Sequence, residues 1–445
     1  MRMKFSRSSH LLQVAAASLA AASLITACEQ FTETLTVDFV YVASAKAAGA
    51  NNYGEINVFE IDSESGRMRQ IPTSPFPSEG RNPVAEAVST DYQNLFVVNQ
   101  DDNTIVQFAI GSDGKLYPNN TVNTPGIFPL AIATSKTNVF VVDTYQPLPL
   151  CSTAEPCSGS IAVIPLVTPS SSNNCTTTVC MGPSVNNTAV NGQYWPLTLP
   201  SAPKDVIVPT AVNVLASGAY IYVTAYDSST LTPTGYVFGF WVVPASYTTI
   251  PSGTSCTPLP SGQTTYPAGT LCPLAGSPFA AGARPSAIAS DGGSAFVYAT
   301  DTVHGDVLGY SVASNGALTP LSGSPYPAGN QPSSVVVDPS PSYPYVYVAN
   351  SQDSTVTAYA MSNGVLTRIG SYATGLQPVA IGIDPSTYHF LFTVNFLADN
   401  VSNFELSTTA GSLLDAQFSP YATNAQPVAV AAIPHNGTGG GVQSH

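Results

Sequence analysis

Charged residues are scarce in this chain: they make up 9% of its 445 residues, against roughly 25% in an average soluble protein. The formal net charge is −14. A chain this acidic repels a phosphate backbone, which excludes nucleic acid as a partner. After the N-terminal segment, no stretch approaches the ~18 uninterrupted apolar residues of a membrane-spanning helix.

Several chemical signatures are also missing. The chain has no C-x-x-C pair, no H-E-x-x-H, no G-x-S-x-G and no Gly-rich phosphate loop between a strand and a helix. These absences exclude the common zinc sites, the serine-nucleophile elbow and the nucleotide-binding motifs. The sequence therefore predicts neither a metal nor a cofactor.

What the chain has in plenty is glycine (34), proline (38) and tyrosine (22). This composition is typical of many short strands joined by tight turns. A proline followed by a short apolar run recurs seven times, and we call these the marker prolines: Pro83, Pro129, Pro209, Pro285, Pro332, Pro378 and Pro427. Most of the intervals between them are about 47 residues, and two longer ones carry inserts, which indicates a repeat architecture.

One unit shows the expected strands. Four strands are predicted in the unit that begins at Pro332, over 334–337, 345–349, 355–360 and 366–372, with a tight hairpin at Asn363-Gly364. Four strands in about 47 residues favour a β-propeller blade. The sequence thus predicts an all-β fold, with four antiparallel strands in each blade.

The two ends of the chain complement each other. The first unit begins at Phe39 with a second strand, whereas the chain ends with a first strand at Pro427–Ile433. If the C-terminal strand joins the first blade, the ring closes and leaves only short edges. This arrangement predicts seven blades over residues 37–434, with inserts at about 143–158, 168–204 and 245–273.

The phrases LAGSPFAAGARPSAIASD and LTPLSGSPYPAGNQPSSVVVDP resemble the seven-bladed lactonase-type propeller family, which includes 6-phosphogluconolactonase-like hydrolases and YVTN-type repeat proteins. In its hydrolase branch, the resemblance implies Arg and His after certain inner-strand prolines. Here the corresponding pairs carry no charge: Val84-Ala85, Leu130-Ala131, Thr210-Ala211, Ser286-Ala287, Ser333-Ser334, Val379-Ala380 and Val428-Ala429. Lactone opening needs a base for water and groups that stabilise an oxyanion.

The N-terminus predicts export. Arg2, Lys4 and Arg7 precede an apolar stretch too short to span a bilayer comfortably. Leu24-Ile25-Thr26-Ala27-Cys28 resembles a bacterial lipobox, which implies a signal peptide over 1–27, lipidation of Cys28 and a linker over 28–36. The alternative is a plain secretory signal. We expect a lipoprotein at the bacterial cell envelope, periplasmic or at the cell surface, with a flexible Gly-rich tail over 435–445.

The other six cysteines form close pairs: Cys151 and Cys157, Cys175 and Cys180, Cys256 and Cys272. Each pair lies inside one Ser/Thr/Pro-rich insert, and none of these inserts contains a histidine. The sequence therefore predicts three local disulfides rather than a metal site.

Candidate site residues lie at one end of the predicted ring. Arg81 and Arg284, which precede marker prolines, and His304, in a turn, are the catalytic candidates. Polar residues at the ends of the second strands could bind a cation or a sugar-like ligand, although Asn and Asp also suit such turns for their own backbone hydrogen bonds. They are Asn99, Asp143, Asp227, Asp301, Asn350 and Asn395.

Two functions remain open. The missing Arg and His and the inserts in blades 3 and 4 favour a monomeric, non-catalytic binding module for an envelope protein or a glycan. The family resemblance favours the alternative, a lactone hydrolase with a divergent site.

Overall fold

The computed structural model describes residues 36–48, 51–62, 65–148, 151, 157–170, 175, 178–245, 247, 249–259, 261–262, 264–340, 344–385 and 390–434. In these residues every regular element is a β-strand. No helix in them is long and apolar enough to cross a membrane. The predicted signal peptide, Cys28 and the tail over 435–445 lie outside the described residues.

The strands form seven separate antiparallel sheets, one per blade. In chain order they are β1 (Thr36–Ala48), β2 (Tyr53–Asp62), β3 (Met68–Gln70) and β4 (Phe76–Pro77) in blade 1; β5 (Pro83–Val88), β6 (Asn94–Asn99), β7 (Thr104–Ile110) and β8 (Leu116–Asn123) in blade 2; β9 (Ile127–Thr134), β10 (Asn138–Tyr145), β11 (Ser160–Val167), β12 (Cys180–Met181) and β13 (Trp195–Pro196) in blade 3; β14 (Ile207–Val214), β15 (Tyr220–Asp227), β16 (Thr234–Val242), β17 (Leu271–Pro273) and β18 (Phe279–Ala280) in blade 4.

Blades 5 to 7 complete the ring. They contain β19 (Pro285–Ser290), β20 (Phe296–Asp301), β21 (Asp306–Val312), β22 (Leu318–Pro320) and β23 (Tyr326–Pro327) in blade 5; β24 (Pro332–Val337), β25 (Tyr345–Asn350), β26 (Thr355–Ser362) and β27 (Val365–Ala373) in blade 6; β28 (Pro378–Ile383), β29 (Phe390–Asn395), β30 (Asn400–Leu406), β31 (Leu413–Asp415) and β32 (Tyr421–Ala422) in blade 7; and β33 (Pro427–Pro434).

The last strand belongs to the first blade. β33 pairs antiparallel with β1, with Phe39 opposite Ile433 and Val42 opposite Val430. The innermost strands β33, β5, β9, β14, β19, β24 and β28 each adjoin the next around the ring. The predicted seven-bladed propeller and its closure by the C-terminal strand are therefore confirmed.

The hydrophobic core lies between neighbouring blades rather than at one centre. Between blades 1 and 2, for example, Tyr41 and Val58 pack against Leu95, Val97 and Phe108. Successive side chains of a strand point to opposite faces, so each blade contributes to the layers on both of its sides. The nearly continuous apolar runs of the second strands follow from this arrangement.

A Ser-Pro pair interrupts the fourth strand in four of the blades. Proline has no N–H and interrupts the ladder, and the hydroxyl of the serine before it accepts a hydrogen bond from a backbone N–H of the third strand. Ser324 Oγ accepts a hydrogen bond from Gly309 N at 3.0 Å. The same contact joins Ser74 to Val58, Ser277 to Gly239 and Ser419 to Asn403.

The inserts of blades 3 and 4 carry the disulfides. Cys151 bonds to Cys157, Cys175 to Cys180 and Cys256 to Cys272. Cys272 is fully buried beside Trp241 and Leu274, so the third disulfide fastens its loop to the blade. The predicted pairing of the six cysteines is confirmed.

Candidate functional site

The loops that lead into the inner strands meet the loops between second and third strands at one end of the ring, which we call the loop face. Gln100 N donates to Asn82 O at 2.9 Å and Thr302 N to Arg284 O at 3.1 Å. Equivalent bonds join Ser351 to Gln331 and Phe396 to Gln377. The loops that carry Arg81, Arg284 and His304 therefore lie on this face, and their catalytic role stays a prediction.

The six predicted ligand-binding residues lie beneath these loops, and all are buried. Asn99 Nδ2 donates to Ser78 O at 3.3 Å, and Asn395 Nδ2 donates to Asn400 Oδ1 at 2.7 Å. Asp143 Oδ2 accepts from Gly126 N at 3.2 Å. Their polar atoms thus hold the loops, and their role in ligand binding stays a prediction.

The loop above each of five of these residues carries a glycine three positions before the marker proline. A Cβ on Gly126 would lie 2.3 Å from Asp143 Cβ, and one on Gly329 would lie 2.7 Å from Asn350 Cγ. Such distances leave no space for a side chain. The glycines are Gly80, Gly126, Gly282, Gly329 and Gly375.

Burial also changes the protonation of one of these residues. Burial raises the pKa of Asp143 to about 7, although hydrogen bonds from Thr124 and Gly126 partly offset this effect. Its Oδ1 has no hydrogen-bond partner in the described part of the chain. Asp143 therefore carries only part of a negative charge at neutral pH.

Arg81 is neutralised within blade 2. Its guanidinium contacts Asp102 Oδ1 through Nε at 2.6 Å, and its backbone N donates to Asp102 Oδ2 at 2.7 Å. Burial raises the pKa of Asp102, but these bonds more than offset it and the net pKa lies below the usual range. Arg81 is therefore a weak candidate for binding an anionic ligand.

Arg284 has a different environment. Its guanidinium carbon lies 4.7 Å from the centre of the Tyr226 ring, and its Nη2 donates to Tyr226 Oη at 3.2 Å. Among the described residues, no ion pair includes Arg284. The tyrosine of blade 4 therefore holds an arginine of blade 5 that forms no ion pair with any described carboxylate.

His304 forms a dyad with Asp301. Its Nδ1 lies 2.6 Å from Asp301 Oδ2; the histidine side chain is 57% exposed and the aspartate side chain 1%. Nε2 has no partner among the described residues. The carboxylate also accepts hydrogen bonds from the backbone N atoms of Ala283, Arg284 and Val303. Asp301 thus fixes the imidazole so that its second nitrogen meets solvent.

The charges within this dyad reinforce each other. Burial raises the pKa of Asp301, but its hydrogen bonds from the backbone and from His304 lower it further, so it stays ionised. The hydrogen bond to this carboxylate, and then its charge, raise the pKa of His304 above 6.5. An ionised carboxylate behind an exposed imidazole can stabilise the imidazolium that forms when the ring takes a proton.

Tyr226, Arg284, Asp301 and His304 together form what we call the cationic cluster. Asp301 links its parts, because one carboxylate holds both the Arg284 backbone and the His304 ring. The sequence singled out Arg284, His304 and Asp301 separately but missed Tyr226. The sequence signal that could have found Tyr226 is its position directly before Asp227, one of the polar residues predicted at the ends of second strands.

A separate cavity of about 620 Å³ lies between β8 and the blade 3 insert. Its lining is neutral, with the amides of Asn119, Asn120, Asn123 and Gln193 beside Met181. Acid–base chemistry needs a titratable group, and the described lining offers none. In the described residues, no group of three or more His, Cys, Asp or Glu side chains could hold a metal ion.

Comparisons with known proteins agree with the architecture. The family model "Lactonase, 7-bladed beta-propeller" matches residues 39–178. A 6-phosphogluconolactonase candidate from Bacteroides fragilis is 18% identical with a TM-score of 0.64, covering 91% of this chain and 99% of its own. The periplasmic gluconolactonase of Pseudomonas aeruginosa is 18% identical with a TM-score of 0.62, covering 89% and 99%.

At these identities, similarity to solved structures establishes the fold alone. No curated protein matches this chain. The blade count, the closure by β33 and the family match all point the same way. The chain is a seven-bladed β-propeller, and its residues 39–178 match the seven-bladed lactonase family model.

Proposed function

We propose that this protein is an exported lactone hydrolase that acts through the cationic cluster on its loop face. The observation that carries this proposal is the Asp301–His304 dyad, with Nδ1 and Oδ2 2.6 Å apart. The family match over residues 39–178 supports lactone chemistry more than a non-catalytic binding role.

In this mechanism, neutral His304 takes a proton from water through Nε2 while the water oxygen attacks the lactone carbonyl carbon. The carbonyl π bond breaks, and its electron pair forms an oxyanion. Arg284 stabilises this charge as a nearby donor. The electron pair of the oxyanion then re-forms the carbonyl bond as the carbon–oxygen bond of the ring breaks, and the imidazolium gives its proton to the ring oxygen. The product is an open-chain hydroxy acid.

Asp301 and Tyr226 are positioning residues in this proposal. Asp301 selects the tautomer in which Nδ1 carries the hydrogen and Nε2 is free to accept one. Tyr226 stacks on the Arg284 guanidinium and accepts one of its hydrogen bonds. A sugar-acid lactone fits this site because its hydroxyl groups suit the polar loops, and the gluconolactonase neighbour supports that class.

Export is part of the same proposal. Three disulfides suit an oxidising compartment, and a periplasmic neighbour shares the fold. Lipid attachment at Cys28 stays a prediction; mass spectrometry of the mature protein and its Cys28→Ser variant would test it. Binding of an envelope protein or glycan by the blade 3 and 4 inserts also stays a prediction.

The test uses residues 29–445 with δ-gluconolactone, 6-phosphogluconolactone and an aliphatic lactone, with acid release followed by pH-stat against a blank without enzyme. We expect His304→Gln to lose about 10²–10⁴-fold in kcat/KM and Arg284→Ala about 10²–10³-fold. Arg81→Ala is the matched control and should keep full activity, because Asp102 neutralises Arg81. Equal activity in all four proteins, or turnover of no lactone, would contradict the proposal.

A further inference from the structure

Glu86 is the one ionisable side chain in the seven inner strands, all of which are described. It occupies the third position after its marker proline, opposite Val97 on β6. The same position in the other six blades is aliphatic, with Ile132, Val212, Ile288, Val335, Ile381 and Val430. Glu86 therefore occupies a position at which the other blades have a buried or half-buried aliphatic side chain.

Glu86 is half-buried as a residue, and its carboxyl group lies beside the core between blades 1 and 2. Both carboxyl oxygens are inaccessible to solvent, and neither has a hydrogen bond of good geometry within the described residues. The Ala431 backbone on β33 lies near enough to lower its pKa slightly. The carboxyl group thus lies at the contact between blade 2 and the strand that closes the ring.

The titratable groups that face Glu86 carry no positive charge. Tyr41 on β1 is buried beside it, and burial followed by the charges of Glu86 and Asp113 raises the pKa of that phenol. Asp113 itself is paired with Lys115 in the turn of blade 2. The neighbouring residues of β6 and β33 are Val97 and Ala431, so no cation in the described part of the chain offsets an ionised Glu86.

Burial therefore dominates, and it raises the pKa of Glu86 from 4.5 to about 8. A neutral carboxylic acid is tolerated in an apolar layer far better than a carboxylate. At neutral pH, Glu86 in the closed ring holds its proton, and the same side chain exposed to water would lose it.

We propose that Glu86 makes closure of the propeller ring proton-dependent. The protonated side chain allows β33 to pack against blade 2. When β33 separates from blade 2, Glu86 meets water and ionises, which favours this open form. Because the closed form binds the proton more tightly, closure is most stable below about pH 4.5. Stability is lost as the pH rises to about 8, where the closed form also ionises. This device is independent of the proposed hydrolase activity.

Hydrogen exchange of the β33 amides, residues 427–434, in the full-length protein tests the proposal between pH 5 and 8. After correction for intrinsic exchange, the rates give the equilibrium constant for opening of β33. With rising pH, this constant should increase more steeply in wild type than in Glu86→Gln, by up to tenfold per pH unit. Glu86→Val, which installs the residue of blades 4, 6 and 1, should give the same shallow profile.

Glu405→Gln on β30 is the matched control, because that glutamate lies on the third strand of blade 7, opposite Phe390 and Leu414, and its profile should follow wild type. Asp38 and Asp143 are also buried, and the pKa of each is raised. Their contributions are shared by wild type and Glu86 variants and cancel in the comparison. Parallel profiles for wild type, Glu86→Gln and Glu86→Val would overturn the proposal.

Discussion

Tyr298, on the second strand of blade 5, donates its hydroxyl hydrogen to the carbonyl oxygen of Gly364 in blade 6, at 2.7 Å. The tyrosine is fully buried, and Gly364 closes the Asn363-Gly364 hairpin. The bond therefore ties the core of one blade to a turn of the next. The same latch joins Tyr41 to Gly114, Tyr222 to Gly316 and Tyr347 to Gly411.

The three remaining blades have phenylalanine at this position: Phe96, Phe140 and Phe392. After Phe96 and Phe140, the following blade carries a long insert in place of the short hairpin. After Phe392, Asn403 Nδ2 donates to Gly66 O instead, at 2.6 Å. A tyrosine hydroxyl is thus present in the four blades in which a hairpin carbonyl of the next blade accepts its hydrogen bond.

Replacing Tyr298 with Phe should destabilise the protein by about 1 kcal/mol, because it removes one buried hydrogen bond and leaves the Gly364 carbonyl unpaired. The ring itself should fit, since Phe occupies the equivalent site in three blades. Urea denaturation measures the change. Tyr117→Phe, on an exposed tyrosine of blade 2, is the control and should change stability little. An equal loss in both variants would show that the latch contributes nothing of its own.

Ser324→Ala should cost about 1–2 kcal/mol, because the Gly309 N–H loses the acceptor that replaces the interrupted ladder. The free energy of unfolding in urea is again the measurement. Ser322→Ala, two residues earlier and exposed, is the matched control. If both variants unfold at the same urea concentration as wild type, the serine does not compensate for the proline.

The fold could be predicted from the sequence because the repeat encodes it locally. In blade 6, the predicted strand over 355–360 is observed as Thr355–Ser362, and the hairpin falls at Asn363-Gly364 as expected. The closure by β33 followed from a missing strand at one end and an extra one at the other. The strands and turns of a blade can be read from residues close together in the sequence, and the closure of the ring from a count of strands.

The candidate site could be predicted only in part, because it depends on contacts between blades. Arg284 and Tyr226 are far apart in the sequence, and only the assembled ring stacks one on the other. The spacing of Asp301 and His304 within one turn was visible, but not that backbone N–H groups hold the carboxylate beneath it. Glu86 escaped notice because its burial is set by a strand more than 300 residues away.

Removing the Cys256–Cys272 disulfide by a double Ser substitution should lower stability by about 3 kcal/mol, as the loop-entropy model gives for a loop of this length. Cys272 is also buried in the blade 4 core, so the polar replacement adds to the cost. The Cys151–Cys157 pair closes a loop with a sequence separation of 6, and its removal should cost less. Thermal unfolding of the two double variants would show the order, and a reversed order would contradict the argument.

The pH dependence of His304 tests the cationic cluster directly. Because Asp301 raises the pKa of His304 above 6.5, the imidazole should become neutral, and competent as a base, only at higher pH than a free histidine. Asp301→Asn removes the negative charge and should lower the pKa of His304 towards 6.5, which NMR titration of the ring protons measures. Hydrolysis should then begin at lower pH but reach a lower maximum rate, since the imidazolium loses its stabilising partner.

Asp306→Asn, which alters a neighbouring carboxylate without a hydrogen bond to the ring, is the control and should shift the profile less. If the pKa of His304 is unchanged in Asp301→Asn, then Asp301 does not control the protonation of His304, and its proposed role as the positioning residue of the base is wrong.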